Sequence, residues 1–240
     1  MATLFISDLH LDSERPEIGS QFLDFLGGEA REAEALYILG DLFDSWVGDD
    51  DPNPHFADMK RAITAFTASG VPAYFMHGNR DFMIGSEFAD ETGVHLLPDP
   101  TMVDLYGSKV LLAHGDALCT DDIEYQQVRA MVRNPDWQRM ILGKPLAERL
   151  ALAADVRAKS QLRNAGLPEA IMDVNQAAVE QLMSEHAVTL LLHGHTHRPA
   201  VHDFKLGDKD AQRIVLGDWF DHGSVVRWNA NGYSLDTMAR

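Results

Sequence analysis

Short apolar runs that stop abruptly organise this chain. Residues 3–6 (TLFI), 36–39 (LYIL), 72–76 (PAYFM), 109–113 (KVLLA) and 188–192 (VTLLL) place apolar residues back to back, without the polar alternation of a half-exposed strand. Strands covered on both faces read this way. Between them the spacing turns helical. Ile18, Phe22, Phe25 and Leu26 predict a helix over 17–31, frayed by Gly27 and Gly28, and Met59, Ile63 and Phe66 predict another over 56–68. A short helix over 85–92 stops at Gly93, and one over 174–186 has Asp173 as its expected cap. Strands are expected at 94–97, 102–105 and 109–113, the last two joined across Tyr106, Gly107 and Ser108, and again at 201–204, 213–216, 224–228 and 233–236. The order predicts an α/β protein with a βαβα half followed by a hairpin.

Two stretches depart from that rhythm. Residues 41–51 carry Asp44, Asp49, Asp50 and Asp51 and read as a solvated acidic turn. Residues 121–166 read as a long helical insertion. From residue 123 onward it sets Arg129, Arg133, Arg139, Lys144, Arg149, Arg157, Lys159 and Arg163 against Glu124, Asp136, Glu148 and Asp155, so it is basic in a chain of net charge −17. Apolar residues lie between those cations: Tyr125, Val128, Met131, Val132, Trp137, Met140, Ile141, Leu142, Leu146 and Leu150. That mixture suits helices that lie near anionic lipid.

Composition narrows the class. At 240 residues and 45% hydrophobic, the chain fits one α/β domain with an insertion. It lacks an apolar run of about 18 residues, so no membrane-spanning helix is expected. The start, MATLFI, has no basic segment of a signal peptide, and the single Cys119 suits a reducing cytosol. The acidic balance argues against nucleic-acid binding but not against a phosphate substrate, because bound cations reverse the field locally.

Chemistry collects where the runs stop. Asp8 and His10 follow the first strand, Asp41 the second, Asn79 the third, His114 and Asp116 the hairpin, and His195 and His197 the strand at 188–192. In open α/β sheets ligands sit beyond the carboxyl ends of strands. The spacing of Asp8 and His10 puts them on one strand face, and His195 and His197 share that spacing. Imidazoles, carboxylates and one amide oxygen suit manganese, iron or zinc better than magnesium or calcium. Seven candidates (Asp8, His10, Asp41, Asn79, His114, His195, His197) exceed one ion's needs and suit two ions about 3.5–4 Å apart, with Asp41 as the bridge. His77 and His193 read as core or supporting residues. His55, His95, His186, His202 and His222 read as ordinary, and Cys119 as an inert thiol.

In order, Asp8-x-His10, Gly40-Asp41, Gly78-Asn79, His114-Gly115-Asp116 and Gly194-His195-Thr196-His197 resemble the motifs of the calcineurin-like metallophosphoesterases over nearly the whole chain. The resemblance implies a four-layer αββα sandwich, a single domain over 1–240 with 121–166 as a helical lid. It implies a dinuclear site with Asp8, His10, Asp41 and His197 on one ion and Asp41, Asn79, His114 and His195 on the other. At residue 80 an arginine stands where that superfamily commonly has histidine. Arginine does not give up a proton at neutral pH but clamps phosphate in bidentate fashion. Gly78-Asn79-Arg80-Asp81, with the runs at 6–11, 35–43, 77–82, 114–122, 171–175 and 193–199, resembles a narrower family, the UDP-2,3-diacylglucosamine hydrolases of lipid A synthesis. That resemblance implies attack of water at the UMP-side phosphorus of a UDP-linked diacylated glucosamine, giving UMP and lipid X, with manganese preferred. It assigns Asp41, Asn79, Arg80, His114 and His195 to catalysis. Asn79, Arg80, Asp122, Tyr125, Arg157, Ser160, Asn164 and His195 are assigned to the substrate, with Leu167 standing where relatives often carry a lysine. The implied setting is a monomer bound peripherally to the cytoplasmic face of the inner membrane.

Overall fold

The computed structural model describes residues 1–164 and 171–240, less the side chains of residues 161 and 164. Leu167 and the Asn164 side chain therefore lie outside the described residues. Two sheets form the centre. The first has six strands: β1 (Thr3–Ile6), β2 (Ala35–Leu39), β3 (Ala73–Met76), β4 (His95–Leu97), β10 (Gly223–Asn229) and β11 (Gly232–Met238), in the order β11-β10-β1-β2-β3-β4. Its β1 to β4 are parallel. The second has β5 (Thr101–Leu105), β6 (Ser108–Ala113), β7 (Leu190–His193), β8 (Ala200–Leu206) and β9 (Lys209–Val215), in the order β5-β6-β7-β9-β8. Its β6, β7 and β9 are parallel.

The pleat explains the layers. Leu4, Ile6, Leu36, Ile38, Ala73 and Phe75 point to one face of the first sheet and pack with Ile18, Phe22, Phe56, Met59, Ile63 and Phe66. Those partners come from α1 (Pro16–Gly27) and α2 (Pro54–Thr67). The alternate residues Phe5, Leu39 and Met76 point the other way and meet Val110, Leu112, Leu192 and Ile214 of the second sheet. Leu111, Ala113 and Leu191 then face Val179 and Met183 of α7 (Gln176–Glu185). Helix, sheet, sheet and helix are thus stacked around three apolar seams, the αββα sandwich that the motifs implied. Period-2 alternation hides in apolar runs when both faces are covered.

Element boundaries shift for local reasons. Proline at the first turn starts α1 at Pro16, and it closes at Gly27, leaving Glu29–Glu32 as a separate 3-10 helix. The cap of α7 is Asn175, which accepts the Ala178 N–H; Asp173, expected in that role, instead meets Arg198. The insertion is three helices, α4 (Ile123–Val132), α5 (Pro135–Leu142) and α6 (Leu146–Asn164). Asn134 and Pro135 break the first junction, and Gly143 and Pro145 the second.

The solvated-turn reading of the acidic run holds for the exposed Asp50 but not for the carboxylates on either side of it in residues 41–51. Asp44 is buried, and the Asp49 carboxylate takes N–H groups of Gly85 and Phe88 at the start of α3 (Ser86–Thr92) and the Trp46 indole N–H. The basic insertion is also less free than its composition suggested. Each of its eight cations is paired: Arg129 and Arg133 with Asp116, Arg149 with Asp50, Arg157 with Asp44, and Arg163 with Asp122 and Glu124, while the other three pair with a carboxylate three or four residues away in the chain. Its apolar residues divide. Ile141 is buried in the main core and Trp137 packs against it, whereas Ile123, Met140 and Leu162 are 67%, 57% and 79% exposed. No helix among the described residues is long and apolar enough to cross a membrane.

Candidate metal centre

Every parallel strand near the middle of both sheets delivers a polar residue just beyond its carboxyl end. From the first sheet come Asp8 and His10 after β1, Asp41 after β2 and Asn79 after β3; from the second come His114 after β6 and His195 and His197 after β7. None of the ligand candidates lies within a strand. Asp8, His10, Asp41, His195 and His197 all have positive φ, between 51° and 69°. The pleat therefore does not bring Asp8 beside His10; left-handed backbone does. Non-glycine residues in this region cost energy and gather where function needs a side chain aimed. Gly78 and Gly194 are required by crowding, since any Cβ at Gly78 would overlap the Asp41 carboxylate and any at Gly194 the Asp8 carboxylate.

Two three-residue groups result, Asp8 with His10 and His197, and Asp41 with His114 and His195. Asp41 stands between them. Its Oδ2 lies 3.8 Å from His10 Nε2, and its Oδ1 lies 3.8 Å from His114 Nε2 and accepts the Arg80 N–H at 2.8 Å. In the first group, Asp8 Oδ2 accepts Ser7 Oγ–H and the His195 N–H, which leaves Oδ1 buried without a hydrogen bond, 3.4 Å from His197 Nε2. His10 Nε2 and His197 Nε2 face each other at 3.2 Å. In the second group, Asn79 Oδ1 receives His114 Nε2 at 3.0 Å and His195 Nδ1 at 2.8 Å. These donor sets fit divalent cations: an orphaned buried carboxylate oxygen, two opposed imidazole nitrogens, and one amide oxygen on which two ring nitrogens converge.

The charges agree with a site built for cations. Burial pushes the Asp8 carboxyl up, yet the imidazoles of His197, His114 and His10 outweigh it and hold Asp8 well below the usual carboxylate range. Burial pulls His114 down, but the carboxylates of Asp41, Asp116 and Asp8 raise it to about 9. His195 falls to about 4 through burial and the neighbouring His114 cation.

Several supporting groups were not legible in the sequence. Asp81 is fully buried and braces the two loops by accepting N–H groups of Leu42 and Gly78; burial and Asp41 raise it to about 7. Asp44 Oδ1 is 3.5 Å from His10 Nδ1, and Asp218 Oδ2 is 3.4 Å from His197 Nδ1. Asp218 did carry a signal: Leu216-Gly217-Asp218 after β9 repeats the strand-Gly-Asp pattern of Leu39-Gly40-Asp41. The Phe220 ring contacts His10 and His197 at 5.4 and 5.6 Å, and the Arg15 guanidinium lies over the Phe220 ring at 4.3 Å. His77 and His193 stand behind the site, bound to the Ile84 and Gly194 carbonyls. Cys119 is buried and its thiol is pushed to about 12, chiefly by burial, as befits an inert side chain.

The insertion reaches the centre from one side. Tyr125 stacks on His195 at 6.0 Å and its hydroxyl donates to Asp116, which Arg129 also holds at 2.8 Å. Asp122 caps α4 through the Tyr125 N–H and accepts Arg163. Arg157 pairs with Asp44 beside His10, and Ser160 is half-buried on the same helix. Arg80 Nε is buried and makes no hydrogen bond.

The profile of the calcineurin-like phosphoesterases matches residues 1–199. A UDP-2,3-diacylglucosamine hydrolase of Stenotrophomonas maltophilia is 51% identical over 247 aligned residues, covering all of both chains. One of Escherichia fergusonii is 54% identical over 235, covering 98% of each. Among solved structures, an archaeal phosphodiesterase is similar in fold alone, with a TM-score of 0.51 at 12% identity over 99% of this chain and 100% of that one. Fold similarity, the two ligand groups and full-length identity to hydrolases agree: this chain belongs to the calcineurin-like phosphoesterases and, within them, to the UDP-2,3-diacylglucosamine hydrolase family.

Proposed function

We propose that this chain hydrolyses the pyrophosphate of UDP-2,3-diacylglucosamine at the UMP-side phosphorus, releasing UMP and lipid X, with two divalent ions held by Asp8, His10, Asp41 and His197 and by Asp41, Asn79, His114 and His195. The observation that carries this reading is the pair of ligand groups on either side of Asp41, each facing one of its oxygens. Manganese is the expected metal, because imidazole and carboxylate ligands are mixed. Such ions supply a hydroxide nucleophile at neutral pH and neutralise phosphoryl oxygens. The chain's own residues do the rest. Arg80, with its buried Nε unpartnered, is available to clamp the attacked phosphate. Asn79 and His195 line the same space, and Tyr125 presents its ring over His195. Asp122, Arg157 and Ser160, with Asn164 and Leu167 beyond the described atoms, are assigned to the sugar and phosphate. Asp122 and Arg157 must share or exchange their present partners Arg163 and Asp44 to serve there.

The lid comprises residues 121–166 within one domain. Its exposed Ile123, Met140 and Leu162 support peripheral contact with lipid and acyl chains held against the same helices, and the family resemblance supports a monomer on the cytoplasmic face of the inner membrane. The test is turnover of UDP-2,3-diacylglucosamine against UDP-sugars without acyl chains, run in 18O-labelled water. Label in UMP and selectivity for the diacyl substrate support the reading. Label in lipid X refutes attack at the UMP side, and equal turnover points to a soluble nucleotide phosphodiester as substrate.

A further inference from the structure

The two ligand groups differ in what stands behind their imidazoles. In the group of Asp8, His10 and His197, both rings turn Nε2 inward and both Nδ1 atoms face a carboxylate at ion-pair distance, Asp44 Oδ1 at 3.5 Å for His10 and Asp218 Oδ2 at 3.4 Å for His197, and His10 Nδ1 is buried with no hydrogen-bond partner other than one that a small approach of Asp44 would supply. Asp218 is itself aimed, because its Oδ1 accepts the Phe220 N–H at 2.9 Å and leaves Oδ2 for the ring. Its loop is fixed from the chain's other end, where Arg240 donates to the Trp219 and Phe220 carbonyls at 2.9 Å. In the other group His114 Nδ1 is backed only by the Leu39 carbonyl at 2.8 Å, and His195 turns Nδ1 inward to Asn79. Among the described residues no carboxylate pairs with the outer nitrogen of either ring.

We propose that Asp44 and Asp218 are positioning residues that hold His10 and His197 in the Nδ1-protonated tautomer, so that the Asp8–His10–His197 group takes the first divalent ion and the Asp41–His114–His195 group the second. A ring that ligates through Nε2 must carry its proton on Nδ1, and an acceptor there fixes both tautomer and orientation and makes the ligand more basic. This inference rests on the dinuclear reading above, and its test needs no substrate.

The experiment is titration of the metal-stripped full chain with Mn2+, followed by calorimetry and by the paramagnetic resonance of free Mn2+. The parent should bind two equivalents of unequal affinity. His197→Gln should remove the tight step and His114→Gln the weak one. Asp218→Asn keeps the shape and the Phe220 contact but presents an N–H2 to His197. It should weaken the tight equivalent roughly 10–100-fold, as should Asp218→Ala and Asp44→Asn. The weaker equivalent should stay within about twofold, as expected of a site that is not coupled to the change. Melting in chelator, unchanged in Asp218→Asn, separates this from misfolding. Equal weakening of both steps, no change, or loss of the tight step in His114→Gln overturns the assignment. A parent that binds fewer than two equivalents overturns the dinuclear reading itself.

Discussion

At Asp41, two carboxylate oxygens face two ligand groups 3.8 Å away on either side. Asp41→Ala is therefore expected to remove one donor from both, and to abolish turnover together with tight binding of a second ion; an Asp41→Ala protein that binds two Mn2+ as the parent does excludes the bridge. Arg80 makes a different demand. Removing a donor aimed at developing charge costs roughly 10²–10³ in kcat. Arg80→His restores the residue common in the wider superfamily, yet a loss of that size is expected with the diacyl substrate, and parental kcat would rule out the clamp. His114 adds a proton linkage. Because its folded value is raised to about 9 from 6.5, its stabilising charge in the metal-free protein is complete below pH 6.5 and lost as the pH climbs through 9. A metal ion must displace that proton, so Mn2+ affinity should rise with pH up to about 9 with proton release measurable in weakly buffered solution. Asp41 was legible in the sequence because it follows a glycine at a strand end, and Arg80 because it replaces the histidine of the wider superfamily's motif. Asp44 was read as solvated, because nothing in residues 41–51 announces that α6 and His10 close over it.

Among the elements, the insertion departs furthest from a simple reading. Its length, helicity and apolar content follow from the sequence, but its cations do not form a free basic face. Arg129 and Arg133 neutralise the fully buried Asp116, and Arg149, itself 4% exposed, ties α6 to Val47 and Asp50. Replacing residues 121–166 wholesale would strand a buried carboxylate, which is strongly destabilising. The informative change is on the open face. Ile123→Ser, Met140→Ser and Leu162→Ser together should leave the melting temperature within a few degrees, because exposed substitutions are usually worth under about 0.5 kcal/mol each. They should lower sedimentation with vesicles and raise KM for the diacyl substrate, with turnover of a small phosphodiester unchanged. Full retention of vesicle binding and KM would place the acyl and lipid contacts elsewhere.

For the molecule as a whole, the centre joins two sheets. Asp8, His10, Asp41 and Asn79 come from the first, His114, His195 and His197 from the second, above an apolar seam containing Phe5, Leu39, Leu112 and Leu192. Metal binding should therefore hold the sandwich together. At a hundredfold excess over Kd a ligand specific for the native state adds about 2.7 kcal/mol per site. For a chain of this size that amounts to an increase of about 5–10 °C in melting temperature. Calorimetry of metal-stripped and Mn2+-loaded protein measures this directly; equal melting temperatures would mean that the ions do not bind the native fold in preference to the unfolded chain.

The sequence by itself determined most of the strand and helix inventory, the candidate ligands and the family, because burial on both faces and a Gly-flanked polar residue at a strand end leave local signatures. Tertiary structure alone decided which strands share a sheet. Strand β4 closes the first sheet and β5 opens the second with only residues 98–100 between them, and apolar runs covered on both faces do not say which partner covers them. It also decided the company of each ligand. Asp44 and Asp218 stand 174 positions apart in the chain, yet they back two imidazoles whose Nε2 atoms are 3.2 Å apart. No local pattern encodes such a meeting, because it depends on two sheets packing face to face with their carboxyl ends together.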